Sequence, residues 1–143
     1  MSYTMQIFLD VSRRRIQEAR ALLDVPKRFC DGAATCALLA AECALKATLL
    51  YGRQATRSRD VPVQIQRQAF ESKAGHDLAA LWGLQDVSIQ ARRTDDQRKA
   101  LDALHRLDRY HHRYGVKRPE RQHAESAVQA AETLVEWMKG VVV

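Results

Sequence analysis

The chain has few of the residues that break or staple a fold. Of its 143 residues, 3 are proline and 6 are glycine. No stretch has the composition of a linker and no segment repeats, so residues 1–143 read as one domain. No stretch alternates apolar and polar residues over the length of a strand, which argues against a sheet. Cysteine is scarce as well. Cys30, Cys36 and Cys43 are odd in number, have no CxxC spacing and have no histidine beside them. A zinc site is therefore not expected. Buried, reduced thiols in a cytoplasmic protein account for them, with Cys36 and Cys43 expected to resist thiol reagents. The opening MSYTMQIFLDVSRRRIQ lacks the apolar core of a secretory signal. The most apolar run, Ala33 to Leu50, is interrupted by Glu42 and Lys46. It reads as a core helix, and no membrane is expected as a partner.

Acidic residues are in deficit. Against 17 Asp and Glu stand 23 Lys and Arg, a net charge of +6 with a pI near 9.5. Such a surface permits nucleic acid or an acidic partner, and it equally suits a basic soluble protein with neither. Its distribution is uneven. From Arg92 to Arg121 there are ten basic residues against five acidic ones, a local +5 that holds nearly all of the excess.

What the sequence does contain is helical periodicity. A first helix is expected from about Gln6 to Leu23, with Phe8, Val11, Ala19, Leu22 and Leu23 inward and Pro26 breaking the chain after it. A second is expected from Asp31, as N-cap, to Tyr51, with Gly52 as its stop. It is apolar almost all round and so belongs at the centre of a bundle. Residues 53–75 are a polar connection in which "QIQRQAFES" suits a short helix. "GHDLAALW" suits another, opened by Asp77 or by His76 as local capping chemistry. Thr94 and Gln97 fit a capping box that starts a third long helix near Asp95. Pro119 suits the first turn of a last helix carrying Ala124, Ala127, Ala131, Leu134 or Val135, and Met138 inward, and ending at Gly140. The fold class expected is all-α: an up-and-down bundle of four long helices with one or two short extra ones.

The densest chemistry is "RLDRYHHRY", residues 106–114, with three arginines, two histidines and two tyrosines. At ~100° per residue it separates into faces. Leu101, Leu104 and Leu107 set an inward stripe on which His111 and Tyr114 continue. Arg106, Arg109 and Arg113 fall on the opposite side, either as a solvated face or as a grip for phosphates, which would relieve their mutual repulsion. His105, Asp108 and His112 line a flank with a spacing that suits a metal, though no further ligand is evident, so no metal and no cofactor are expected. His111 is either a half-buried histidine with a satisfied partner or a general acid/base. Glu42 and Lys46, four apart on the central helix, suit an ion pair at the core's rim or the wall of a groove.

The order "AAECALKATLLYGR", polar loop, "GHDLAALW", "LHRLDRYHHRYG" and "HAESAVQAAETLVEWM" resembles the HEPN domain of prokaryotes, in the branch found beside minimal nucleotidyltransferases. The resemblance covers about Asp10 to Gly140. It implies a four- to five-helix bundle that forms a homodimer. Many members are RNases with an Arg-x(4–6)-His motif, which here implies catalytic roles for Arg106, His111 and His112. "His112-Arg-Tyr114" is similar to the His-x-Tyr of toxin members, whose tyrosine is modified by the partner nucleotidyltransferase. Arg113 and Tyr114 also match two residues of another branch's Arg-Tyr-Pro. The chain departs from these patterns at Leu107, where nuclease members carry a polar residue, and at Gly115. A second Arg-x(4)-His, Arg118 to His123, lacks the surroundings of the motif. The resemblance thus implies an RNase or RNA-binding component of a toxin–antitoxin or phage-defence system, with Arg109, Arg113 and Tyr114 on RNA. The other reading is a non-catalytic helical partner of a nucleotidyltransferase. On one continuous helix Arg106 and His111 are ~140° apart and cannot grip the same phosphate, so a nuclease site requires a helix break or a second subunit.

Overall fold

The computed structural model describes residues 3–25, 30–72, 76–107 and 121–142. Four long helices dominate: α1 (Met5–Leu23), α2 (Cys30–Gly52), α6 (Asp95–Leu107) and α7 (Arg121–Val141). Between α2 and α6 lie a 3-10 turn (Ser58–Asp60), α3 (Val63–Gln66) running on into a π turn (Arg67–Glu71), α4 (Leu78–Gly83) and α5 (Val87–Gln90). No β-strand occurs among the described residues, and the all-α bundle is as expected. Beside the two short helices anticipated from "QIQRQAFES" and "GHDLAALW", the connection also holds α5.

The helices run up and down. Arg20 of α1 is paired with Glu132 of α7, and Ser12 Oγ, one face lower on α1, donates to Met138 Sδ at 3.9 Å. Rising residue numbers on α1 thus meet falling ones on α7. Arg92, just before α6, donates to the carbonyls of Gly140 (2.8 Å) and Val141 (3.2 Å), while Trp137 Nε1 donates back to Arg92 O at 3.0 Å. The start of α6 is therefore fastened to the end of α7, whose orphan carbonyls need donors. Trp82 of α4 meets Trp137 edge-on, with centroids 5.8 Å apart.

α2 is the axis. Leu45, Leu49, Leu50 and seven of its alanines, among them Ala33, Ala37 and Ala44, are buried. The alanines let α1 and α7 approach closely, and the leucines fill what remains. By length and composition α2 resembles a membrane span, but 78% of its most apolar window is buried inside the protein. A helix apolar on every side is what a bundle's core requires. Gln85, just beyond the end of α4, is held against it: Thr48 Oγ1 donates to Gln85 Oε1 at 3.0 Å, and Gln85 Nε2 donates to Leu45 O at 2.8 Å. A buried amide satisfied at both ends holds α4 in one position.

Several local expectations need correction. Asp31 lies within the first turn of α2, not at its cap, because the helix already includes Cys30. On α1 Phe8, Ala19 and Leu23 are buried as expected and Leu9 and Ser12 join them, while Val11 and Leu22 only flank the core. The capping box at Thr94 forms by half. Thr94 Oγ1 accepts from Gln97 N at 3.1 Å, but the Gln97 side chain turns into the core, where neither end of its amide has a hydrogen-bond partner. α7 continues through Gly140 to Val141. Pro119 lies outside the described residues.

α2 stops at Gly52, as expected, but not because a glycine is needed there for a left-handed turn. The left-handed residue after α2 is Gln54, with φ 57°. Gly52 is instead where α5 crowds the backbone, since a Cβ there would stand 2.4 Å from Ile89 Cγ1. Gly52→Ala should therefore cost roughly 1–3 kcal/mol by overpacking. Gln54→Gly should be neutral or stabilising by up to about 1 kcal/mol, because glycine takes positive φ without strain. Urea unfolding of the two variants checks this, and equal midpoints would contradict it.

The thiols divide unevenly. Cys30 and Cys43 are buried, but Cys36 is only half-buried, its Sγ facing Glu18 Oε2 at 3.8 Å. The expectation that Cys36 would be sealed is corrected: its turn of α2 faces the edge of α1, not the core. Burial, with Glu42 adding to it, pushes the Cys43 thiol up to about 11, and burial raises Cys36 as well. Thiolate being the reactive form, native protein at neutral pH should label first at Cys36, with Cys43 unreactive until unfolding. Mass-resolved labelling with a maleimide tests the order, and prompt modification of Cys43 would overturn it.

Candidate functional site

The middle of the bundle carries an unusual group of charges. Glu42 and Lys46 stand one turn apart on α2, and a helix this apolar leaves them little water: their side chains are 12% and 9% exposed. Lys46 Nζ donates to Glu42 Oε2 at 3.0 Å. Above the ammonium lie two aromatic rings, Phe8 of α1 and Phe70 of the π turn. They stack with centroids 5.6 Å apart, and each is 5.9 Å from Nζ. Ring faces are the one apolar surface that attracts a cation, so the aromatic lid adds to the carboxylate in holding Lys46.

The second oxygen of Glu42 reaches outward. Oε1 is 2.8 Å from Nδ1 of His76, whose side chain is 69% exposed. With Glu42 ionised, that bond makes Nδ1 the donor and leaves Nε2 facing solvent. His76 is thus not the cap of α4. Asp77 takes that role, its Oδ1 accepting from Ala80 N at 3.1 Å.

The two neighbours at this corner point to different helices. His76 reaches α2, while Asp77 Oδ1 lies 4.0 Å from His105 Nδ1 on α6. At 4.0 Å this is an electrostatic contact and not a hydrogen bond, and His105 Nδ1 is buried without a bonding partner. The levels agree. Glu42 is ten residues from Gly52, and His105 is ten residues from Asp95, so each stands ~15 Å above the same end of the bundle. The corner before α4 therefore bridges α2 and α6 at one height.

Arg106 follows His105 and is exposed, with no ion pair among the described residues. Ala100, Leu101, Leu104 and Leu107 face the core, as the stripe expected of α6 requires. Leu107 is inward for that reason, which explains an apolar residue after Arg106. Arg109, His111, His112, Arg113 and Tyr114 lie outside the described residues, as do Asp108 and Arg118. His105 is turned toward Asp77, and the other two residues of its flank, Asp108 and His112, lie outside the described residues. No cluster of three or more His, Cys, Asp or Glu able to hold a metal occurs among the described residues. A separate cavity of about 490 Å³ lies at the lower end, between Met5, Tyr51, Thr56 and Arg92, and touches none of these groups.

The HEPN domain family matches residues 64–141, more than half of the chain. The chain belongs to the HEPN family. No curated protein and no solved structure matches it. The matched stretch begins in α3 and runs through α7, so it includes His76, Arg106 and the whole Arg-x(4)-His segment of this HEPN chain. Glu42, Lys46 and Phe8 precede it.

Sequence reasoning had Glu42 and Lys46 as an ion pair at the core's rim, and that is what forms. It missed His76, because 34 residues separate it from Glu42 and no local pattern spans such a gap. One signal was available: a carboxylate on a core helix needs partners for two oxygens, and Lys46 supplies one.

The buried pair makes a test of its own. Glu42→Ala leaves the Lys46 ammonium buried with only ring faces, and should cost about 3–5 kcal/mol. The double change Glu42→Leu with Lys46→Met removes both charges and keeps the volume, and should recover most of that loss. A double variant no more stable than the single one, in denaturant unfolding, would show that the charges themselves hold the helices together.

Proposed function

We propose that this HEPN chain is a metal-independent endoribonuclease, or an RNA-binding component, of a toxin–antitoxin or phage-defence system in the cytoplasm. Arg106 carries the reading. It is a guanidinium exposed to solvent, without an acidic partner among the described residues, and it heads an Arg-x(4)-His segment inside the matched stretch. In the proposed chemistry a ribose 2′-hydroxyl attacks the adjacent phosphorus. His111 or His112 moves a proton in this exchange, and Arg106 stabilises charge on the phosphoryl oxygens. Arg109, Arg113 and Tyr114 would hold the flanking RNA.

A single straight helix separates Arg106 from His111 by ~140°. A homodimer that joins the sites of two copies is therefore part of the proposal, with residues 1–143 as its one domain. The other reading, a docking partner for a minimal nucleotidyltransferase, draws support from Leu107, whose inward position removes the polar neighbour that nuclease members carry.

Purified chain should cut single-stranded RNA in the presence of EDTA, leaving 2′,3′-cyclic phosphate ends. Arg106→Ala, and His111→Ala combined with His112→Ala, should abolish cutting while leaving helicity and dimer mass unchanged. Arg109→Ala and Arg113→Ala should each flatten the salt dependence of RNA binding by about 0.7 in the slope of log K against log salt, as expected for one phosphate contact. A monomer at micromolar concentration, or cutting that survives the changes, would leave the docking partner as the better reading.

A further inference from the structure

We propose that His76, oriented by Glu42, is a second proton-transfer residue of the ribonuclease site. The inference rests on the reading of the chain as an RNase and adds a residue that lies 30 positions before Arg106.

A purely structural tie would not need this arrangement. Glu42 and Lys46 already form a complete pair along α2, with Lys46 covered by Phe8 and Phe70. Yet the free carboxylate oxygen is committed to an imidazole that is 69% exposed and has little of its own surface to bury. That geometry selects one tautomer. A carboxylate at Nδ1 holds the proton there and turns the basic Nε2 toward solvent, where a large substrate can reach it. The carboxylate also stabilises the imidazolium that forms once Nε2 takes a proton, an orienting role familiar from carboxylate–histidine pairs. Lys46 and the aromatic lid keep Glu42 in place, so the orienting group is itself anchored in the core.

Position agrees with chemistry. The His76–Asp77 corner touches α6 at His105, the residue before Arg106, and Glu42 stands at the same height on α2 as His105 does on α6. His76 and Arg106 are therefore exposed residues, each next in sequence to one member of the half-buried Asp77–His105 contact. In the step assigned to it, His76 Nε2 takes the proton of the 2′-hydroxyl as the O2′–P bond forms. The P–O5′ bond breaks, and the departing 5′-oxygen takes its proton from His111 or His112, the proton mover of the proposed chemistry, which regains one from water. The His76 imidazolium then returns its proton to water, so that atoms and charge balance. The products are a 2′,3′-cyclic phosphate and a 5′-hydroxyl. The substrate class is single-stranded RNA, whose 2′-hydroxyl can be brought in line with its own phosphate.

His76→Gln separates the two roles, because its amide can still donate to Glu42 but cannot carry a proton. Steady-state cleavage of a short fluorogenic RNA should show kcat lowered on the order of 10²-fold or more for His76→Gln and for His76→Ala. KM should change less than threefold, and added imidazole should restore part of the activity of His76→Ala only. Arg106→Ala serves as the control that reports the site itself. Variants at residue 76 that cut as fast as the wild type, while Arg106→Ala is dead, overturn the role of His76 and leave the RNase reading standing. A wild-type chain that does not cut RNA overturns both. Long-range nitrogen–proton NMR of the imidazoles gives a readout without turnover. His76 should be protonated at Nδ1, with Nε2 shifting when a nucleoside 3′-phosphate is added, and a resting Nε2–H tautomer would also overturn the assignment.

Discussion

The rest of the bundle depends on the need to cover α2 on every side. A surface helix buries one stripe, and its neighbours need only pack there. α2 has apolar residues nearly all round, so leaving any face wet forgoes the ~25 cal/mol that each Å² of buried apolar surface contributes. α1 covers one face and α7 another, while the short α4, through Leu81, and Gln85 just beyond its end close a third. α6 does not need to reach α2 over much of its length, because α7 and α4 stand between them. The up-and-down order follows from the same demand, since short connections bring successive helices back along the one that must be covered.

Burying a helix so completely gives consequences to the two charges in its middle. Moving an ammonium and a carboxylate from water into a core is costly unless each finds compensation. Lys46 finds a carboxylate and two ring faces. Glu42 finds Lys46 with one oxygen and His76 with the other. The second bond brings the chain before α4 onto α2, and Asp77, the next residue, brings the same corner to α6. A solvation problem in the core is thus answered by a contact that ends in an exposed imidazole, on the corner that also meets α6 at His105.

Membership of the HEPN family changes the weight of that geometry without replacing it. The family match begins at residue 64 and so does not include Glu42 or Lys46. The link between the matched part and the rest of the chain is physical: α2 carries the carboxylate, and the matched segment carries the histidine. Arg106 owes its exposure to the inward stripe of Ala100, Leu101, Leu104 and Leu107, which leaves the opposite side of α6 to water.

The sequence by itself determined the four long helices, the short helices α3 and α4, and most of the faces they bury. Periodicity at Leu101, Leu104 and Leu107, the Asp77 and Thr94 caps, and the apolar run around Ala37 to Leu50 are local signals, readable from neighbours within a turn or two. It also determined that Glu42 and Lys46 pair, because four residues along a helix is one turn. Tertiary structure decided what depends on distance across the chain. Gln97 turned into the core although it had the spacing of a capping residue, because its helical face pointed there. Gly52 was needed for the approach of Ile89, 37 positions later in the chain, and not for a turn. Cys36 came to the rim and Cys43 to the interior because α1 covers α2 unevenly. Above all, His76 met Glu42 across 34 residues. Hydrogen bonds of that span are chosen by which helices pack together and at what height, and no local pattern of residues encodes either.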